Sequence, residues 1–274
     1  MYGAIIGDIA GSTLEFKGKK KYDFQIFLPG SNITDDTIMT IAVARALIHW
    51  RASGGDLHEV MRFHMRDLGR KYPYPMGYYG PSFQGWLRSS SPIPYYSCGN
   101  GSAMRASPCG LIAIDLEETL ELAKISAEVT HNHPEGIKGA QATAAAVYLA
   151  KTGHSIDEIR TYIHTNFYPM DRTCDEIRPT YKFEATCQKS VPESIIAFLE
   201  STSYEDAIRK VISLGGDADT MAAITGGIAW CFYRFQMDKG LDEAMMELKT
   251  RANDFLPEDF IQTIEDFDQL CWGT

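Results

Sequence analysis

The stretch LGGDADTMAAITGGIAW, residues 214–230, sets two carboxylates, Asp217 and Asp219, between a Gly-Gly pair and a run of small apolar residues. No charge follows Asp219 up to Trp230, which is the composition of a buried helix with both acids at its entrance. A carboxylate beside a buried run is costly unless a helix N-terminus, a Lys or Arg, or a metal ion meets it. A second stretch, SNITDDTIMTIAVARAL at 31–47, repeats the pattern. There Thr34, Asp35, Asp36 and Thr37 precede a run in which Arg45 is the only charge.

Working outward, helical periodicity dominates the chain. Leu57, Val60, Met61, Met65 and Leu68 describe an amphipathic helix. DLEE at 115 and SIDE at 155 fit capping boxes, SYED at 203 is a weaker variant, and Gly153 ends a helix. The best strand signal, YDFQIF from residue 22, is short. Gly, Pro and aromatic residues concentrate between 72 and 110, which predicts a long ordered loop region with packed aromatics. No repeat, low-complexity tract or linker divides the chain, so a single domain over 1–274 is expected.

The apolar share of 45% in 274 residues is ample for a sizeable core. A formal charge of −10, from 36 acidic against 26 basic residues, disfavours nucleic-acid and anionic-membrane surfaces. Six cysteines without C-x-x-C spacing predict reduced thiols in a cytoplasmic protein. The N-terminal stretch lacks a basic n-region, and no uninterrupted apolar span is long enough to cross a bilayer.

Each Thr/Asp cluster, taken singly, is explained by capping of unpaired helix amides. Together they hold more carboxylates than two helix ends require, and if the two entrances converge, the like charges repel unless cations sit among them. Oxygen ligands without neighbouring His or Cys point to Mg²⁺ or Mn²⁺ before Zn²⁺, and two such ions suit metal-assisted hydrolysis. In GDIAGSTLEF, 7–16, Gly7 and Gly11 allow close packing and Asp8 reads as structural. Glu15, two turns on, is either a solvated acid or a group that orients or deprotonates water. In SCGNGSAMRASP, 97–108, the residues Gly99, Asn100, Gly101 and Ser102 form either an ordinary turn or an anion-binding nest. Arg105 suits a phosphate or a core carboxylate. His131 and His133, in THNHPEG, read as caps or phosphate contacts ahead of a metal pair.

Five motifs in order, G-D-x-x-G-x-x-x-E at 7–15, T-D-D-T at 34–37, G-N-G-S-x-M-R at 99–105, T-H at 130–131 and G-G-D-A-D-T at 215–220, make the chain resemble the ADP-ribosylglycohydrolase family. The resemblance implies an all-α, compact orthogonal helical bundle that binds two divalent ions, Mg²⁺ or Mn²⁺. It further implies cleavage of the bond between the anomeric carbon of ADP-ribose and a modified protein or small molecule. By the same resemblance Thr34, Asp35, Asp36, Asp217, Asp219 and Thr220 are metal ligands, and Glu15 is the mobile acid near them. The resemblance also makes the loop Gly99 to Ser102 and His131 contacts to the diphosphate and ribose. Glu15 and Asp35 are alternative proton acceptors. Two other readings remain open, a catalytically silent relative and a metal-dependent phosphoesterase on the same carboxylates.

Overall fold

The structure, a computed structural model, describes residues 1–236 and 242–273. These residues form α1 (Tyr2–Gly11), α2 (Asp35–Ser53), α3 (Leu57–Lys71), α4 (Pro81–Arg88), α5 (Ser107–Ile112), α6 (Leu116–Glu128), α7 (Pro134–Lys151), α8 (Ile156–Asn166), α9 (Cys174–Ile177), α10 (Cys187–Leu199), α11 (Tyr204–Ile212), α12 (Ala218–Gln236), α13 (Glu243–Asn253) and α14 (Glu258–Trp272). A 3-10 turn spans Asn100–Ser102. Among the described residues there is no strand, only isolated bridges pairing Thr34 with Met76 and Gly99 with Thr186. The protein is all-α.

Local signals account for many of the boundaries. Thr34 caps α2, accepting from the Asp36 amide. Asp115 caps α6, Ser155 and Glu158 close a reciprocal box on α8, and Ser203 caps α11. Gly153 lies just beyond α7 with φ of +83°, a conformation that suits glycine. All six cysteines are free thiols.

Two expectations need correction. Residues 22–27 form no strand: the Tyr22 and Phe24 carbonyls accept from Arg209 instead of a ladder, while Phe24, Ile26 and Phe27 are buried as irregular chain. An apolar alternation without a partner edge has nowhere to place its amides. In the segment 72–110, Tyr79, Phe83 and Trp86 are buried, but Tyr74, Tyr78 and Tyr96 are exposed. That segment also contains α4, started by Pro81 at its first turn, where a missing amide costs nothing.

The central contact is a seam of small residues between α1 and α12. A Cβ at Gly3 would stand 2.3 Å from the Gly226 carbonyl oxygen, one at Gly7 2.0 Å from that of Ala222, and one at Gly11 2.4 Å from that of Ala218. Residues four apart lie on one helix face, so these pairs stack along antiparallel helices that meet backbone to backbone. Around the seam one hydrophobic cluster runs from Met1 through Ile38, Ile41 and Leu47 on α2 to Phe260 and Phe267 on α14.

The seam gives a direct test. Gly7→Ala forces the two backbones apart and is expected to cost about 3 kcal/mol in denaturant unfolding, a large overpacking penalty. Gly85→Ala, at an exposed α4 position with nothing within 4 Å, should stay within about 1 kcal/mol of wild type on the stabilising side.

Candidate active site

At the end of α1 the seam presses Gly11 against Ala218, so the first turn of α12 lies beside Asp8 and the chain leading to Glu15. The start of α2 is tied to the same place through Asp8, which is fully buried. Thr34 donates its amide to Asp8 Oδ2 at 3.0 Å and its hydroxyl to Oδ1 at 2.7 Å. Thr37 donates its amide and hydroxyl to Oδ2 at 3.1 and 2.5 Å. With both oxygens engaged, Asp8 is the bracket that holds the α2 N-terminus, in keeping with its structural reading.

The two acidic helix entrances therefore converge. Carboxylate oxygens of Asp8, Asp36 and Asp219 lie within 4.8 Å of one another, and so do those of Glu15, Asp217 and Asp219. Thr220 donates its hydroxyl to Asp36 Oδ2 at 3.2 Å, and Asn100 donates Nδ2 to Asp217 Oδ2 at 2.8 Å. Asp36 Oδ1 is buried with no hydrogen-bond partner. A buried carboxylate oxygen left unpaired is expensive, and an all-oxygen donor set around it suits a hard divalent cation. The residues present thus fit the implied metal. Thr34 and Asp8 stand behind the acids, and Asp35 lines the cleft while keeping some solvent contact.

Electrostatics say the same. Burial first, and repulsion from Asp219 and Asp8 next, push Glu15 up to about 8. Burial moves Asp217 up to about 6, and it raises Asp35, Asp36 and Asp219 well above the usual carboxylate range, with neighbouring acids adding to it. No Lys or Arg forms an ion pair with any of these five groups within the described residues.

The acids open into a cleft of about 450 Å³ lined also by Phe16, Tyr79, Gly99, Gly101, His131 and Phe183. That volume suits a small-molecule site. Of the turn and nest readings of the Gly99–Ser102 loop, its first two amides follow the turn. The Gly99 amide donates to Ser97 Oγ and the Asn100 amide to the Ala185 carbonyl, so neither is free for an anion. The Ser102 side chain is fully buried beneath the loop, donates to the Gly136 carbonyl at 2.7 Å, and does not reach the cleft. Gly101 keeps the expected openness: a Cβ there would stand 3.2 Å from His131 Nε2. Arg105 lies in the cleft wall but is buried, with Nη2 donating to the Ser126 carbonyl at 2.9 Å and to Thr130 Oγ1 at 2.6 Å. His133 caps α7, accepting from the Glu135 amide.

Some lining residues carried no signal in the sequence. Gly77 has φ of +79°, and a Cβ there would stand 3.2 Å from Glu15 Oε2, so its absence makes room for that acid. Phe16 and Phe183, from distant parts of the chain, pair at 5.3 Å between ring centroids beside Glu15. Only the Gly-rich context of Gly77 hinted at a role, and nothing in sequence linked the two rings.

The fold and the cleft define an all-helical protein with an acidic, cation-ready site. The sequence pattern of the ADP-ribosylglycohydrolase family matches residues 1–253, and the chain belongs to that family. It is 24% identical over 266 residues to ADP-ribosylarginine hydrolase Tri1 of Pseudomonas putida, covering 85% of this chain and 69% of that one. It is 24% identical over 260 residues to the ADP-ribosyl-[dinitrogen reductase] glycohydrolase of Rhodospirillum rubrum, with 84% and 83% covered. The match to ADP-ribosylhydrolase ARH3 of Gallus gallus, 27% identical, spans half of each chain. A solved structure described as an ADP-ribosylglycohydrolase-related protein complex superposes with a TM-score of 0.67 over 98% of this chain and 93% of that one, at 20% identity, which shows a shared fold.

The crowded acids predict how stability responds to pH and metal. Carboxyl groups with raised folded-state pKa values stabilise most below their unfolded values and lose that contribution as pH rises through the folded ones. In chelator, the melting temperature should fall between about pH 4 and 8, the window set by the ordinary carboxyl range and by Asp217 near 6 and Glu15 near 8. Mn²⁺ at neutral pH should restore it. Asp219→Asn should melt at or above wild type in chelator yet gain nothing from Mn²⁺; at a hundredfold excess over Kd, wild type should gain about 2.7 kcal/mol per site.

Proposed function

We propose that the chain, as one domain over 1–274, is a divalent-cation-dependent ADP-ribosyl glycohydrolase. It would cleave the bond between the anomeric carbon of the distal ribose and a modified protein or small-molecule acceptor. The observation that carries this reading is the meeting of Asp35 and Asp36 with Asp217, Asp219 and Thr220 in one cleft beside Glu15, with Thr34 behind them at the Asp36 amide. Membership of the family and the names of the relatives support the substrate class.

In this reading the six Thr and Asp side chains hold Mg²⁺ or Mn²⁺. Cations held there would neutralise the carboxylates and make a neighbouring water more acidic. Glu15, next to Asp219 in the cleft wall, takes the proton of the attacking water, with Asp35 the alternative acceptor. The water oxygen forms a bond to the anomeric carbon, the bond from that carbon to the acceptor breaks, and the departing atom takes up a proton. Gly99 and Gly101 let the ligand approach the loop backbone, and His131, backed by Arg105 in the cleft wall, supplies a polar contact toward the diphosphate and ribose. Ser102 supports that loop from below. Asn100 contributes through Asp217, which it orients.

The direct test is incubation with an ADP-ribosylated protein, with and without chelator, with detection of free ADP-ribose. Release that stops in EDTA and returns with Mg²⁺ or Mn²⁺ is expected, and full release in chelator would remove the cation from the reaction. Glu15→Gln should fold normally and lose roughly two to four orders of magnitude in turnover. Near-normal turnover would move the proton-accepting role to Asp35. Gly101→Val, which crowds His131, should weaken binding of free ADP-ribose at least about tenfold by calorimetry while Mn²⁺ still raises the melting temperature.

A further inference from the structure

The residue immediately before His131 is fully buried and touches no part of the cleft, yet every polar neighbour it has bears on that histidine. Thr130 Oγ1 lies 2.6 Å from Arg105 Nη2 and 2.8 Å from His131 Nδ1. A guanidinium has only protons to give, so Arg105 donates and Thr130 accepts. The Tyr95 amide donates to the Thr130 carbonyl at 3.0 Å and fixes the backbone beside that hydroxyl. Thr130 then has one proton of its own to place. The His131 Nδ1 lone pair at 2.8 Å is the good acceptor; the Ala127 carbonyl is 3.5 Å away and already accepts the amides of Thr130 and His131.

We propose that Thr130 is a positioning residue that, backed by Arg105, fixes His131 as the tautomer protonated on Nε2 and aims that N–H into the cleft. The other end of the ring agrees. Cβ atoms built on Gly101 and Gly99 would stand 3.2 and 3.5 Å from Nε2, so this nitrogen faces the two glycines of the loop. The edge of Tyr95 packs on the ring, with centroids 5.4 Å apart, and limits its rotation. The charged and titratable groups facing His131 are Arg105 and Tyr95. Burial, with Arg105 adding to it, pushes the imidazole well below its usual range and keeps it neutral. His131 is therefore a fixed donor without a charge, suited to a phosphate or hydroxyl oxygen of the ligand. The identity of that ligand rests on the glycohydrolase reading; the tautomer does not.

The experiment is ¹⁵N–¹H correlation of histidine rings in the full chain, which has seven histidines, with His131 assigned by its absence from His131→Gln. Wild type is expected to show a bare Nδ1 and a protonated Nε2 at His131. Thr130→Val should lose that preference and weaken ADP-ribose binding roughly tenfold, the scale of one misdirected hydrogen bond. Thr130→Ser, which keeps the hydroxyl, should restore both. A wild-type His131 protonated on Nδ1, or an unchanged tautomer in Thr130→Val, would overturn the proposal, and the wild-type spectrum decides even if that variant fails to fold. A protonated Nε2 in a wild type that binds no ADP-ribose would support the positioning role and overturn the ligand reading.

Discussion

Everything in the site depends on the backbone-to-backbone contact between α1 and α12. Gly3, Gly7 and Gly11 meet Gly226, Ala222 and Ala218, and the last of these contacts lies at the acids themselves. Any side chain larger than hydrogen along that face of α1 would push the helices apart. Asp219 would then be withdrawn from Asp36 and Glu15, and a shift of an ångström matters to a cation held by carboxylates from separate helices. The seam is thus both the centre of the core and the gauge that sets the spacing of the acids.

The second constraint is electrostatic. A fold that buries Asp8, Asp36, Asp217 and Asp219 together, with Asp35 and Glu15 alongside, stores repulsion that hydrogen bonds relieve only in part. Asp8 is quieted by four donors from Thr34 and Thr37, and Asp217 by Asn100. Asp36 Oδ1 has none. The difference sets Asp8, whose two oxygens are both engaged, apart as architecture, and leaves Asp36 Oδ1 and the half-engaged Asp217 open to a cation.

The same division of labour runs through the glycine loop. Asn100 and Ser102 look like ligand contacts when read along the chain; the Ser102 hydroxyl turns away to the Gly136 carbonyl, while Asn100 lines the cleft with its amide given to Asp217. What the loop offers the cleft is absence, the missing Cβ atoms at Gly99 and Gly101 that leave His131 room to point its Nε2 outward. Arg105 and Thr130 act from behind that histidine, where burial in the core and work for the site coincide.

Much of this was legible in the sequence, because helix caps, apolar periodicity and Thr/Asp clusters are local patterns whose chemistry depends on near neighbours. Thr34, Asp115, Ser155 and Ser203 cap where their residue types say they should, and the acids at 34–37 and 217–220 announced a site by exceeding what two helix ends need. The apparent strand at 22–27 misled because alternation reports burial, whereas a strand also needs a partner edge. Only the tertiary structure decided which acids share an oxygen cage, which Thr and Asn hydroxyls or amides are already spent, and that Phe16, Gly77 and Phe183 border Glu15. Those contacts join residues up to 211 positions apart, as Asp8 and Asp219 are, and a hydrogen bond's direction is settled by every donor around it rather than by the chain on either side.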